Sequence, residues 1–219
     1  MRTVLLPGLG EVPVGKILGI GTNYAAHARE MGTNVGGDPV VFLKPSTALL
    51  GDGGTVRPPG PGHELHHEVE LVVAIGRTGH RIPFERSLEH VAAYAVGLDL
   101  TLRDLQLAAK KAGRPWALAK GFDTSAPVSA FRAAAEVADP QNVMLTLAVN
   151  GRMRQSGSTT DMIVPVAGLV CFLSTFMTLE RGDLIFTGTP AGVGPLMAGD
   201  VLEAEAGGVA RLKVSVGAS

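Results

Sequence analysis

Two glutamates, Glu68 and Glu70, stand in the otherwise apolar run HHEVELVVAI. In a strand, side chains two apart share a face, so these carboxylates project together from backbones roughly 6–7 Å apart. Like charges on one apolar surface repel and are poorly solvated unless a cation joins them. An edge strand with its acidic face in water gives the same pattern. Asp99 favours the cation, because an aspartate at the end of the apolar YAVGLDL is a poor strand former and costly when buried alone. Three carboxylates suit Mg²⁺ or Mn²⁺ better than Zn²⁺, which prefers nitrogen and sulfur. The adjacent His66 and His67 keep zinc open as an alternative. By alternation His66 shares the glutamates' face, where it could support a ligand, and His67 faces away.

A second pair, His27 and Glu30, has the three-residue spacing of neighbours on a helix, so the carboxylate can orient and charge-stabilise the imidazole as a general base. Taken alone, the pair also reads as a solvated ion pair. Lys120, in WALAKGFDTSAP, is a cation among apolar residues that could neutralise a developing oxyanion, although lysines are usually exposed. The segment GTPAGVG, residues 188–194, offers backbone N–H groups and the Thr189 hydroxyl to a substrate carboxylate, or is simply a turn. No Gly-Lys-Ser/Thr follows, so it is not a P-loop. Arg103 and Gln106, also three apart, would share a helix face beside Asp99.

The elements that must position these groups are short. Residues 16–21 are an apolar run ending in glycine, after which Asn23 is placed to cap a helix over residues 24–31 that Gly32 would stop. A glycine-containing loop at 33–38 precedes a strand at 39–43. Strands are expected at 66–75, 94–100, 144–149 and 184–187, a helical piece begins at 87–90, and residues 101–112 read as helix up to Gly113 and Pro115. Asn150-Gly151 marks a turn, and residues 201–205 and 210–216 form a closing hairpin around Gly207-Gly208. The 29 Gly and 14 Pro, scattered rather than periodic, fit many tight turns and argue against a helical bundle. The expectation is a β-rich α+β fold.

At 219 residues the chain has room for one large domain, and with 46% apolar against 18% charged residues it has the balance of a globular protein. A net charge of −1 without a basic run disfavours nucleic acid and membrane surfaces as partners. The one cysteine, Cys171, cannot form an intrachain disulfide and reads as a buried apolar group. No secretory or transit segment is legible at the start, so the cytoplasm is the expected compartment. Residues 162–179 are an uncharged run of 18, but Pro165 and three hydroxyl side chains lower its hydrophobicity. Val166, Leu169, Val170, Leu173, Phe176 and Met177 recur at helical spacing, which reads as a buried amphipathic helix rather than a span.

Taken in order, the motifs GTNYAAHARE, FLKPSTAL, HHEVEL, GLDLTLRD, PWALAKGFDTSAP and GDLIFTGTPAGVGP resemble the fumarylacetoacetate hydrolase family, in particular its short acylpyruvase-like, fumarylpyruvate hydrolase-like and oxaloacetate decarboxylase-like members. The resemblance implies a mixed β-sandwich roll with short helices, in which residues 17–219 form a single catalytic domain after a lead-in strand at 1–16, and a homodimer. It implies Mg²⁺ or Mn²⁺ on Glu68, Glu70 and Asp99, and a catalytic His27–Glu30 dyad on a lid spanning residues 25–38. Lys120 joins the dyad as a catalytic group, while Arg103, Gln106 and Thr189 contact a small 2-oxo acid substrate. The activity implied is metal-dependent hydrolysis of the C–C bond of an acylpyruvate-type 2,4-dioxo acid, giving pyruvate and a carboxylate through a metal-bound enolate. Oxaloacetate decarboxylation and 2-hydroxyhepta-2,4-diene-1,7-dioate-type isomerisation use the same enolate logic. A non-catalytic 2-oxo acid-binding homologue is the alternative of another class.

Overall fold

The computed structural model describes residues 2–32 and 37–218. Gly8 and Gly10, both at positive φ, turn β1 (Thr3–Leu6) back on β2 (Gly10–Pro13). The apolar β3 (Ile17–Gly21) leads into α1 (Ala25–Glu30), and β4 (Val40–Lys44) returns antiparallel to β3. The loop expected at 33–38 falls mostly outside the described residues. Short pieces follow: β5 (Leu49–Leu50), β6 (Thr55–Val56) and β7 (Leu65–His67). Next come the fully buried β8 (Val69–Ile75), the 3₁₀ turn Phe84–His90, β9 (Val91–Leu98) and β10 (Thr101–Leu102).

Beyond β10 lie α2 (Arg103–Lys111), α3 (Ala117–Lys120), β11 (Ala126–Pro127) and β12 (Arg132–Ala133). The hairpin β13 (Met144–Val149) and β14 (Arg152–Ser158) turns at Asn150-Gly151, both at positive φ as such a turn requires. The chain closes with α4 (Val166–Phe176), β15 (Leu184–Phe186), β16 (Gly194–Pro195), β17 (Val201–Ala206) and β18 (Ala210–Val216).

The result is a β-rich, mixed β-sandwich roll with short helices. A six-stranded sheet runs β12-β9-β8-β15-β3-β4 and a five-stranded one β14-β13-β17-β18-β6. In the first, β15 lies parallel to β3 and antiparallel to β8. Side chains alternating from β8 explain its apolar sequence. Leu71 and Val73 join Val96, Leu145, Leu202 and Leu212 between the sheets, while Val72 and Ala74 pack on the other face with Val4, Leu6 and Val12 of the first hairpin. A strand covered on both faces has no polar side to show.

Several expectations need correction. Asn23 does not cap α1, whose N-cap is Tyr24; its amide instead donates to the carbonyls of Val164 and Thr187 and accepts from Val164 N, tying β3 to β15 and α4. The strand expected at 66–75 is two strands in different sheets, broken at Glu68, because β7 pairs with β10 and β16 rather than with the β8 neighbours. Residues 101–102 accordingly pair as strand before the helix begins. The apolar run at 162–179 forms only the 11-residue α4. Val166, Leu169, Val170 and Leu173 are buried as expected, but Phe176 is 69% exposed. Cys171 is half-buried. Among the described residues no helix is long and apolar enough to cross a membrane.

Candidate active site

The break between β7 and β8 turns Glu68 inward, alternation brings Glu70 to the same side, and the end of β9 delivers Asp99, whose N–H donates to the Glu68 carbonyl. One oxygen from each of these three buried carboxylates lies within 4.8 Å of the others. Three buried cations surround them. Lys120 Nζ is 2.8 Å from Glu68 Oε2 and 2.5 Å from Asp99 Oδ2. Arg103 reaches Glu68 Oε1 at 2.5 Å and also donates to Gln106 Oε1. Lys44 Nζ lies 2.8 Å from Asp99 Oδ1 and donates to the carbonyls of Leu100, Lys120 and Ser125.

Glu70 is the exception. Among the described residues no cationic side chain pairs with it, and its Oε2 accepts only the Gly188 N–H, at 2.7 Å. Burial first, then the Asp99 and Glu68 charges, push its carboxyl well above the ordinary 4.5. Burial acts on Glu68 in the same direction, but Lys120 and Arg103 outweigh it and hold Glu68 far below 4.5. Burial pulls Lys120 down, yet Asp99 and Glu68 raise it above its ordinary value. The donor set therefore fits a divalent cation. It comprises three convergent hard oxygens, one on a carboxylate still without a positive partner.

The dyad residues also meet. His27 Nδ1 is 3.1 Å from Glu30 Oε2, and both Glu30 oxygens accept the N–H of Gly192, at 3.1 and 3.2 Å. With Nδ1 turned to the carboxylate, Nε2 is the nitrogen left for the cavity. That cavity is lined by His27, Glu68, Glu70, Arg103, Gln106 and Lys120, and holds about 20 Å³, roughly one water molecule.

The glycine segment behaves differently from expectation. Its Gly188 and Gly192 N–H groups serve Glu70 and Glu30 instead of facing an open ligand site. Thr189 lines the cavity, but its hydroxyl donates to the Val69 carbonyl. Close approach explains the glycines. At Gly188, φ is +96° and a Cβ would lie 2.6 Å from that of Asn23.

His66 does not support the glutamates, since its Nε2 bonds Glu64. His67 is buried, its basicity lowered by burial, and it donates through Nδ1 to Gln155 Oε1. Gln155 also donates to Thr189 Oγ1 and the Pro190 carbonyl, so it braces the cavity wall from β14. Neither Gln155 nor Lys44 stands out in the sequence. The only signals are a lysine ending an apolar strand and one inward position in the polar RMRQSGS.

Comparison with known proteins agrees with this fold. The profile described as "Fumarylacetoacetate (FAA) hydrolase C-terminal" matches residues 16–217. The chain belongs to the fumarylacetoacetate hydrolase family. Within it, the oxaloacetate tautomerase YcgM of Escherichia coli K12 is 49% identical over 193 residues, covering 88% of each chain. The fumarylpyruvate hydrolase of Pseudomonas aeruginosa, crystallised with Mn²⁺ and pyruvate, is 39% identical with a TM-score of 0.95 over 100% of this chain and 96% of that one. A 2-hydroxyhepta-2,4-diene-1,7-dioate isomerase from Mycobacterium marinum is 36% identical, with a TM-score of 0.82, covering 93% and 75%. Family members with this fold thus include tautomerases, hydrolases and isomerases.

Proposed function

We propose that this chain is a Mg²⁺- or Mn²⁺-dependent enzyme that moves a proton at C3 of a 2-oxo dicarboxylate, interconverting its enol and keto forms, with oxaloacetate as the first substrate. The observation that carries the reading is the placement of His27, oriented by Glu30, on the cavity that Glu68 and Glu70 line beside Asp99. Glu68, Glu70 and Asp99 would hold the ion, which when bound withdraws electron density from the 2-oxo group and favours the enolate. Glu30 accepts from His27 Nδ1 and so keeps Nε2 free to take the C3 proton and return it. Lys120 and Arg103, already beside Glu68, supply positive charge to the enolate oxygen and the substrate carboxylate. The identity with oxaloacetate tautomerases supports the choice of oxaloacetate.

A second reading, hydrolysis of an acylpyruvate to pyruvate and a carboxylate, is favoured by the likeness to the Pseudomonas hydrolase and by space for about one water next to His27. In it, Nε2 takes a proton from water attacking the C4 carbonyl, and the C3–C4 bond breaks. The deciding experiment follows oxaloacetate enol absorbance, and pyruvate release from fumarylpyruvate and acetylpyruvate, with Mn²⁺, Mg²⁺ or EDTA. Metal-dependent loss of enol absorbance without pyruvate release supports the tautomerase. Pyruvate from an acylpyruvate moves the assignment to the hydrolase, pyruvate from oxaloacetate to a decarboxylase, and inactivity on all three despite Mn²⁺ binding counts against both readings.

A further inference from the structure

The cations deep in the cavity have carboxylate partners, but one at its side does not. Lys110 lines the cavity with Arg103 and Gln106. The spacing 103, 106, 110 keeps all three on one face of α2. Arg103 is paired with Glu68, and Gln106 accepts from Arg103. Lys110 has no carboxylate partner among the described residues. Its ammonium rests 5.0 Å from the centre of the Trp116 ring. Trp116 leans on Phe42 at 5.9 Å, and Phe42 carries Lys120 4.8 Å above its own ring. Two aromatic faces thus hold two ammonium groups at one wall without neutralising either.

The C-terminal end of a helix attracts cations, which could account for a lysine here. The exposed Lys111 already serves that end, whereas Lys110 is half-buried and turned to the cavity. Partial burial and the nearby Arg103 both disfavour its charge, in that order. A cation kept in such a place without a counter-charge is suited to an anion that arrives with the substrate.

We propose that Lys110 binds the far carboxylate of a dianionic 2-oxo acid, so that α2 presents Arg103, Gln106 and Lys110 in sequence along the substrate. This rests on the 2-oxo dicarboxylate reading above and adds the residue that separates dianionic from monoanionic substrates. Arg103 lies at the carboxylate end, beside Glu68, and Lys110 two turns along the helix. Trp116 sets the Lys110 ammonium in position.

The test compares the wild type with Lys110→Met and Lys110→Arg, loaded with Mn²⁺, on oxaloacetate and on its 4-methyl ester, which keeps the 2-oxo carboxylate and loses the second charge. For Lys110→Met, kcat/KM on oxaloacetate should fall roughly ten- to a hundredfold, mainly through KM, with less than about a threefold change on the ester. Lys110→Arg should recover most of the loss, and Mn²⁺ affinity should stay within about threefold in both variants. Equal losses on both substrates, a drop in Mn²⁺ affinity, or unchanged selectivity in Lys110→Met would each overturn the proposal. Wild-type protein that neither binds nor turns over either compound, while binding Mn²⁺, would overturn the dicarboxylate reading and this inference together; wild-type selectivity that survives in Lys110→Met would overturn this inference alone.

Discussion

The carboxylate of Glu30 sits on the backbone N–H of Gly192, 162 residues further along the chain, while also receiving His27 Nδ1. One side chain therefore orients the imidazole and ties α1 to the segment that also holds Glu70. The join depends on a glycine. At Gly192, φ is +100° and a Cβ would lie 2.4 Å from the Arg154 carbonyl oxygen.

Gly192→Ala should therefore cost about 1–3 kcal/mol and release Glu30, lowering the melting temperature by several degrees and the turnover at least tenfold. Calorimetry and steady-state kinetics check this. Glu30→Gln, which keeps an acceptor for Gly192 but not the charge, should retain stability and lose turnover.

His27→Ala should reduce kcat by roughly 10²–10⁴, the usual contribution of a general base, and leave Mn²⁺ affinity within about threefold. Calorimetric Mn²⁺ titration alongside kinetics separates the roles; weakened metal binding would contradict the division between dyad and carboxylates.

Glu70 sets the sign of the pH dependence. Its carboxyl is raised above 4.5 in the folded protein, so without metal it holds its proton to higher pH than an ordinary glutamate, and a cation must displace that proton wherever it persists. Mn²⁺ affinity should rise by up to tenfold per pH unit until that proton is gone, and Glu70→Gln should bind at least a hundredfold more weakly. In EDTA, the raised Glu70 makes stability decline as pH climbs from 4.5 towards its folded value. The depressed Glu68 acts in the other window, losing stability as pH falls below 4.5. Melting curves against pH should show the upper decline in the wild type and not in Glu70→Gln.

Lys44→Met should be among the most destabilising single changes. It removes the ammonium donor of three buried carbonyls and of Asp99 Oδ1, leaving Asp99 with Lys120 alone, and breaking such a buried pair costs about 3–5 kcal/mol. Urea denaturation measures it.

The sequence made the acidic cluster legible because Glu68, Glu70 and Asp99 are the wrong residues for the apolar strands around them, and that mismatch has few solutions besides a cation. It misled over His66 because alternation assumes one continuous strand. The chain changes sheets at Glu68, so His66 meets Glu64 instead. Lys44 was hidden for a different reason: a lysine at the end of an apolar strand is normally a solvated terminus, and its three carbonyl partners come from segments more than fifty residues away. Gln155 gave only a faint signal, since β14 is mostly exposed and reads as a polar surface strand. Asn23 had the right type for a helix cap but found stronger partners across the sheet.

The parallel pairing of β15 with β3 also governs how the chain is made. Ile17 meets Leu184, so the slot between β3 and β8 stays open until nearly the whole protein has been synthesised. From the end of β8 to the start of β15 is just over a hundred residues, roughly 5–20 seconds at about 5–20 residues per second. Through that interval one edge of an apolar strand lacks its neighbour, the kind of segment that seeds association between nascent chains. Charged residues that flank an apolar edge oppose such association, and Glu68 and Glu70 stand at the head of this one.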